Sequence, residues 1–211
     1  MLLPSMYKIE DQQEIETFIS RYSFATIVVE EAGELTAAHL PMLFSRHDGR
    51  GKLRGHLTQS NPVISGVRNG SVPLAIFQGP HGYISSSWYV DQKIPPTWNF
   101  TSVHIKGVAK ILDSAVDKLK ILKETVARYE GANGSGWGFD ESDPDIRAML
   151  PMITAFEMDF KLSDIQCCYK LSQNQKPADF ASAVSNLEAK GDTASIELAD
   201  LMKNKALHGR N

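Results

Sequence analysis

A chain of 211 residues with 42% hydrophobic and 22% charged side chains can bury a core of its own, which excludes a largely disordered polypeptide. Its net charge of −3 and pI near 6.1 exclude an overall basic field that would gather nucleic-acid phosphates or anionic lipid. Its apolar runs are too short for a membrane span, its start lacks a signal-peptide pattern, and its two cysteines, Cys167 and Cys168, are adjacent, so a cytoplasmic protein with reduced thiols is expected.

Asp11 to Tyr22 carries Ile15, Phe18, Ile19 and Tyr22 at helical spacing and predicts a short amphipathic helix. Phe24 to Glu31 is rich in strand formers, Ala32-Gly33 breaks it, and Leu35 to Ser45 resumes as the second strand of a hairpin. Pro41 cannot donate to a ladder, so it belongs at an edge or a bulge, which sets His39 and Leu40 beside accessible backbone. A turn at His47 to Gly51 leads to a third strand, Lys52 to Thr58, carrying Arg54, His56 and Leu57. After Ser60, Asn61 caps a helix that opens with Pro62. Its free N–H groups form an anion site in principle; the plainer alternative is an ordinary capped helix.

Val72 to Gln78 reads as a fourth strand, Gly79-Pro80-His81-Gly82 as a tight hairpin turn, and Gly82 to Ser86 as a fifth strand. The window from Phe77 to Phe100 sets His81, Tyr83, Trp88, Tyr89 and Trp98 among Gln78, Ser85 to Ser87, Thr97 and Asn99. Flat rings beside donors and acceptors suit a planar polar ligand; aromatic strand ends capping a barrel core are the equal alternative. Phe100 to Leu112 predicts a sixth strand, with Val103, Ile105, Ala109 and Ile111 on a core face and His104, Lys106 and Lys110 on a wet one. Asp113-Ser114 caps a helix ending before Gly131, and residues 131–143 read as a surface loop pinned by Trp137, without phosphate-loop spacing. Pro144 to Met149 is a short helix, Ile153 to Leu171 is a long strand broken near Ser163-Asp164, and Lys170 is a lone cation at its end. From Pro177 two short helices follow, separated at Gly191-Asp192. The pattern predicts an α+β, mainly β chain: a largely antiparallel barrel with flanking helices over residues 1–174 and a helical tail, 175–211, packed on it.

The series His39-Leu-Pro, Gly55-His-Leu, Asn61-Pro62, Phe77-Gln-Gly-Pro-His-Gly-Tyr-Ile-Ser, Ser87-Trp-Tyr, Pro96-Thr-Trp-Asn and Lys170-Leu-Ser-Gln-Asn is similar to the PaiB-like family of FMN-binding negative transcriptional regulators. The resemblance spans nearly the whole chain. It implies a split β-barrel related to pyridoxamine phosphate oxidase-like flavoproteins, and a homodimer with FMN sites at the subunit interface. Where the family tends to read Ser-Pro-Ser-Trp-Tyr, this chain has Ser85-Ser86-Ser87-Trp88-Tyr89, which implies a less rigid loop.

For FMN, the phosphate calls for cations and N–H groups, and His39, Arg54, His56, Ser60 and Asn61 are the candidates, with Leu40 and Leu57 beside them in the same motifs. Trp88, Tyr89 and Trp98 are candidates to cover the ring, and Gln78, Ser87, Thr97 and Asn99 to meet its polar edge. Lys170 is a candidate neighbour of the N1/C2 oxygen edge, where positive charge stabilises reduced flavin. Residues 96–99 are expected to face the same cavity as His39 and His56. The main functional reading is an FMN-dependent redox protein or sensor with a small-molecule redox partner, and no catalytic acid or base is assigned. One alternative is a repressor that binds DNA through the tail helices, although five acids and four bases from Pro177 onward argue that any DNA contact is weak or indirect. The other is a haem-handling split barrel. His39, His56, His81 and His104 show no metal-ligand spacing, so no metal is assigned.

Overall fold

A computed structural model describes residues 1–134 and 136–208. The chain divides into two compact units: a larger one of Gln12–Phe77 and His104–Ile165, and a smaller one of Met1–Asp11, Gln78–Val103 and the residues from Gln166 onward.

In the larger unit, α1 (Gln12–Arg21) buries Ile15, Phe18 and Ile19. β2 (Phe24–Glu31) pairs antiparallel with β3 (Glu34–Pro41), Thr26 lying opposite His39, and with the start of β6 (Leu74–Ile84), Thr26 lying opposite Ile76. Ala25, Ile27 and Val29 are buried while Phe24 is exposed, the period of two that a half-buried strand requires. Ala32 and Gly33 both take left-handed backbone to close this hairpin. A second antiparallel sheet has the order β4 (Leu43–His47), β5 (Arg50–Thr58), β9 (Ile153–Lys161) and β8 (Val108–Leu112). Leu40, Met42, Leu53, Phe77, Phe156 and Met158 are fully or nearly fully buried, each such side chain contributing about 1.5–3 kcal/mol.

Five expectations are corrected here. The strand from Leu35 does not reach Ser45: its ladder ends at Pro41, which has no N–H, and Met42 donates instead to the Ser23 carbonyl at 2.9 Å before β4 begins. The turn after β4 narrows to Asp48 and Gly49, both left-handed, so Arg50 and Gly51 already belong to β5. The stretch Phe100 to Leu112 breaks at Gly107, where a Cβ would lie 2.5 Å from the Asp159 carbonyl oxygen, giving β7 (Thr97–Lys106) and β8. α3 (Ala115–Asn133), capped by Ser114, runs past Gly131 and stops where Gly134 takes the left-handed conformation. Trp137 is 56% exposed, so burial of its ring does not pin the loop. α2 (Pro62–Arg68) and α4 (Pro144–Met149) form as expected, each with proline in its first turn behind an Asn61 or Asp143 cap.

In the smaller unit the strand order is β1 (Lys8–Ile9), β10 (Gln166–Lys170), then the parts of β7 and β6 that belong to it. Cys167 and Cys168 of β10 pair with Ile9 and Lys8 and are both buried thiols, and burial pushes the Cys168 thiol up. α5 (Pro177–Ala189) and α6 (Thr193–His208) turn about left-handed Gly191 and bury Ala183, Leu187, Leu198, Ala199 and Met202. The hairpin expected at Gly79 to Gly82 is absent: β6 is one strand from Leu74 to Ile84, and neither glycine has positive φ. The strand buries Ala75 and Phe77 and then Pro80 and Ile84, without a turn between them. Gly82 serves helix packing, since a Cβ there would sit 3.0 Å from Leu198 of α6.

Candidate functional site

In the larger unit His39 is exposed on β3, its Nδ1 3.0 Å from the Thr26 hydroxyl and its ring stacked at 6.3 Å on Phe24. Its neighbour Leu40 points the other way and is core. On β5, Leu53 and Gly55 face inward, so Lys52, Arg54 and His56 share the opposite face. Arg54 is held 2.6 Å from Glu124 of α3, and its Nε is buried without a partner. Lys52 and Lys110 flank Glu157 at 2.9 and 2.6 Å. Burial pushes the Glu157 carboxyl up, but the two lysines outweigh it and hold the group below the usual carboxylate range. Half-burial lowers the His56 pKa, so its imidazole is neutral at pH 7. Leu57 is half-buried and Ser60 exposed. Asn61 Oδ1 accepts the Val63 N–H at 3.0 Å and caps the 7-residue α2 as the plainer reading expects.

In the smaller unit the candidates fall on two sides of β7. Thr97 and Asn99 point one way and Trp98 the other. The Lys170 ammonium donates to the Thr97 hydroxyl at 2.6 Å. Asn99 is buried, with its amide donating to Ser172 Oγ at 3.0 Å and its carbonyl accepting from the same hydroxyl at 3.1 Å. Ser172 takes left-handed backbone to reach it. Trp98 is 50% exposed; its indole N–H donates to His81 Nδ1 at 3.2 Å, the rings lie 5.9 Å apart, and the Tyr83 ring is 6.1 Å away.

Gln78 is exposed on β6, and the Ser87 hydroxyl and N–H both engage Ser85 in the short turn that follows. Trp88 is half-buried, with the Lys190 ammonium 5.4 Å above its ring and its carbonyl accepting from Ser182. Tyr89 is buried and its hydroxyl makes no hydrogen bond of normal geometry; burial raises its pKa, and Ser172 partly offsets this. The next two backbone N–H groups, of Val90 and Asp91, donate to buried Asp179 of α5 at 2.7 and 3.3 Å.

The structure thus joins Thr97 to Lys170, Asn99 to Ser172 and Trp98 to His81 and Tyr83. His81, Tyr83, Ser172 and Asp179 were not among the candidates. The i, i+2 spacing of His81 and Tyr83 is the available signal, and the turn-forming residues Gly79 to Gly82 mask it.

Antiparallel sheets with flanking helices in this order define the FMN-binding split-barrel class. The fold is similar to the FAD and haem binding protein of Mycobacterium smegmatis, with TM-score 0.59 and 12% identity, covering 84% of this chain and 80% of that one. It is also similar to the flavocytochrome Anf3 of Azotobacter vinelandii, with TM-score 0.57 and 13% identity, covering 83% and 75%. A family model described as "Putative FMN-binding domain" matches residues 1–161. Over 208 residues, 97% of this chain and 98% of the relative, the sequence is 34% identical to the protease synthase and sporulation protein PAI 2 of Bacillus subtilis strain 168. The chain therefore belongs to this flavin-binding family and is a PaiB-like protein, as its motifs implied.

Proposed function

We propose that the protein binds FMN and acts as a flavin-dependent redox protein or sensor with a small-molecule redox partner. The family match over residues 1–161 carries this reading, because that span contains every candidate cofactor residue except Lys170. The donor set fits the group. Exposed Trp98 offers a stacking face, while Lys170, on the other side of β7 with Thr97, is bonded to a hydroxyl rather than a carboxylate, so its field would act on the ring across the strand and not by contact. His39 and Ser60 offer exposed polar groups for the phosphate, while Arg54 and neutral His56 share one strand face nearby in sequence. FMN supplies one- and two-electron chemistry when bound; the chain binds it, orients it and sets the charge around it.

The reading extends to a cytoplasmic homodimer. Edge strand β3 and its partner β2 present Phe24, 67% exposed, and Leu35, 78% exposed, and two-fold pairing would cover both. Among the described residues no helix is long and apolar enough to cross a membrane. Any effect on gene expression is indirect on this reading. Lys203 is tied to Glu188 and Asp200, and Lys190 and Lys205 lie over the Trp88 and Tyr169 rings, so these three bases of α5 and α6 and the turn between them are engaged within the unit. An absorbance spectrum after reconstitution tests the proposal: flavin bands, with FMN as the molecule released on denaturation, support it. A Soret band, or FAD as the released flavin, overturns it.

A further inference from the structure

We infer that His81 is a positioning residue that fixes Trp98, and that Tyr83, His81 and Trp98 form one preorganised stacking platform for the flavin ring. This deepens the FMN reading and rests on it.

A half-exposed indole on a strand is free to turn, and its N–H is equally well solvated by water. Here that N–H has a directed acceptor in His81 Nδ1 at 3.2 Å; the His81 ring stacks on the indole at 5.9 Å and 30°, and the Tyr83 ring braces it at 6.1 Å with a tilt of 54°. Ordering three exposed rings costs side-chain entropy that one solvent-accessible hydrogen bond barely offsets, so the arrangement stabilises the fold little. It does lower the entropy cost of stacking a planar ligand.

The support beneath the rings is rigid. His81 and Tyr83 are separated by Gly82, whose missing side chain lets Leu198 of α6 pack against the strand from the opposite side. The rings therefore stand on backbone clamped by a helix. The indole can only donate, so His81 Nδ1 must be the unprotonated nitrogen. The occupant is a flavin rather than any aromatic surface because residues 1–161, which contain all three rings, match an FMN-binding family.

The test is a titration of the apoprotein with FMN, read by quenching of flavin fluorescence and by the visible circular dichroism of the bound ring. His81→Phe keeps an aromatic ring and removes the acceptor; His81→Asn keeps an acceptor near the Nδ1 position. His81→Phe should weaken FMN binding about tenfold and change the flavin dichroism, while His81→Asn should recover most of both and the melting temperature stays put. Trp98→Phe removes the N–H, and in that background His81→Phe should have no further effect. Unchanged affinity and dichroism in His81→Phe, or equal and additive losses in both backgrounds, would overturn the positioning role. Failure of the unmodified protein to bind FMN would instead sink the cofactor reading and this inference with it.

Discussion

In the larger unit three cations of β5 and β8 are committed to carboxylates: Arg54 to Glu124, and Lys52 and Lys110 to Glu157. In the smaller unit buried Asn99 is satisfied by Ser172 and buried Asp179 by two backbone N–H groups, while Lys170 and the rings around Trp98 have neutral neighbours. A cation beside a carboxylate has most of its field cancelled, whereas one beside a hydroxyl does not. Charge acting on a ligand ring is therefore better sought at Lys170 than at Arg54.

The largest expected effect tests whether the apolar core carries the larger unit. Phe156→Ala should lose about 3–5 kcal/mol in denaturant unfolding, and a loss below about 1 kcal/mol would mean that the ion pairs matter more than the core. Asp179→Ala leaves two N–H groups without their acceptor and should cost about 1–3 kcal/mol, with Asp179→Asn milder because it retains an acceptor oxygen. Equal losses for the two would point to the charge rather than the bonds.

Lys170→Met should alter stability by less than about 0.5 kcal/mol yet lower the midpoint potential of bound FMN, measured by dye-equilibrated reduction. An unchanged potential would remove the contrast drawn between the units.

The smallest effect is a pH slope. His56 has a lowered pKa in the fold, so the unfolded chain takes up a proton more readily and stability falls as pH drops below the ordinary value of 6.5. His56→Gln should flatten that part of the stability profile relative to the parent. His104, also lowered by burial, keeps a residual slope in both proteins.

Local signals made several elements legible. The period of Ile15, Phe18 and Ile19, the caps at Asn61 and Ser114, the Ala32-Gly33 turn and the break before Ile165 all depend on neighbours in sequence. The continuous β6 was not legible, because the reason for Gly82 is Leu198, far along the chain. The ion pair of Arg54 with Glu124 of α3 was not legible either, nor was the buried role of Asp179 among the acids of the tail. Buried polar residues are identified by their partners, and these partners come from elsewhere in the chain.

Asp179 also bears on the order in which the protein can fold during synthesis. The N–H groups it accepts leave the ribosome 89 and 88 residues earlier, and Leu198 follows Gly82 by a longer stretch still. The segment from Val90 onward must therefore wait, hydrated and unpaired, while the larger unit can close around β9 as soon as that strand emerges. Chaperone binding to the nascent chain should accordingly concentrate on residues 78–103 and end once α5 and α6 have been made.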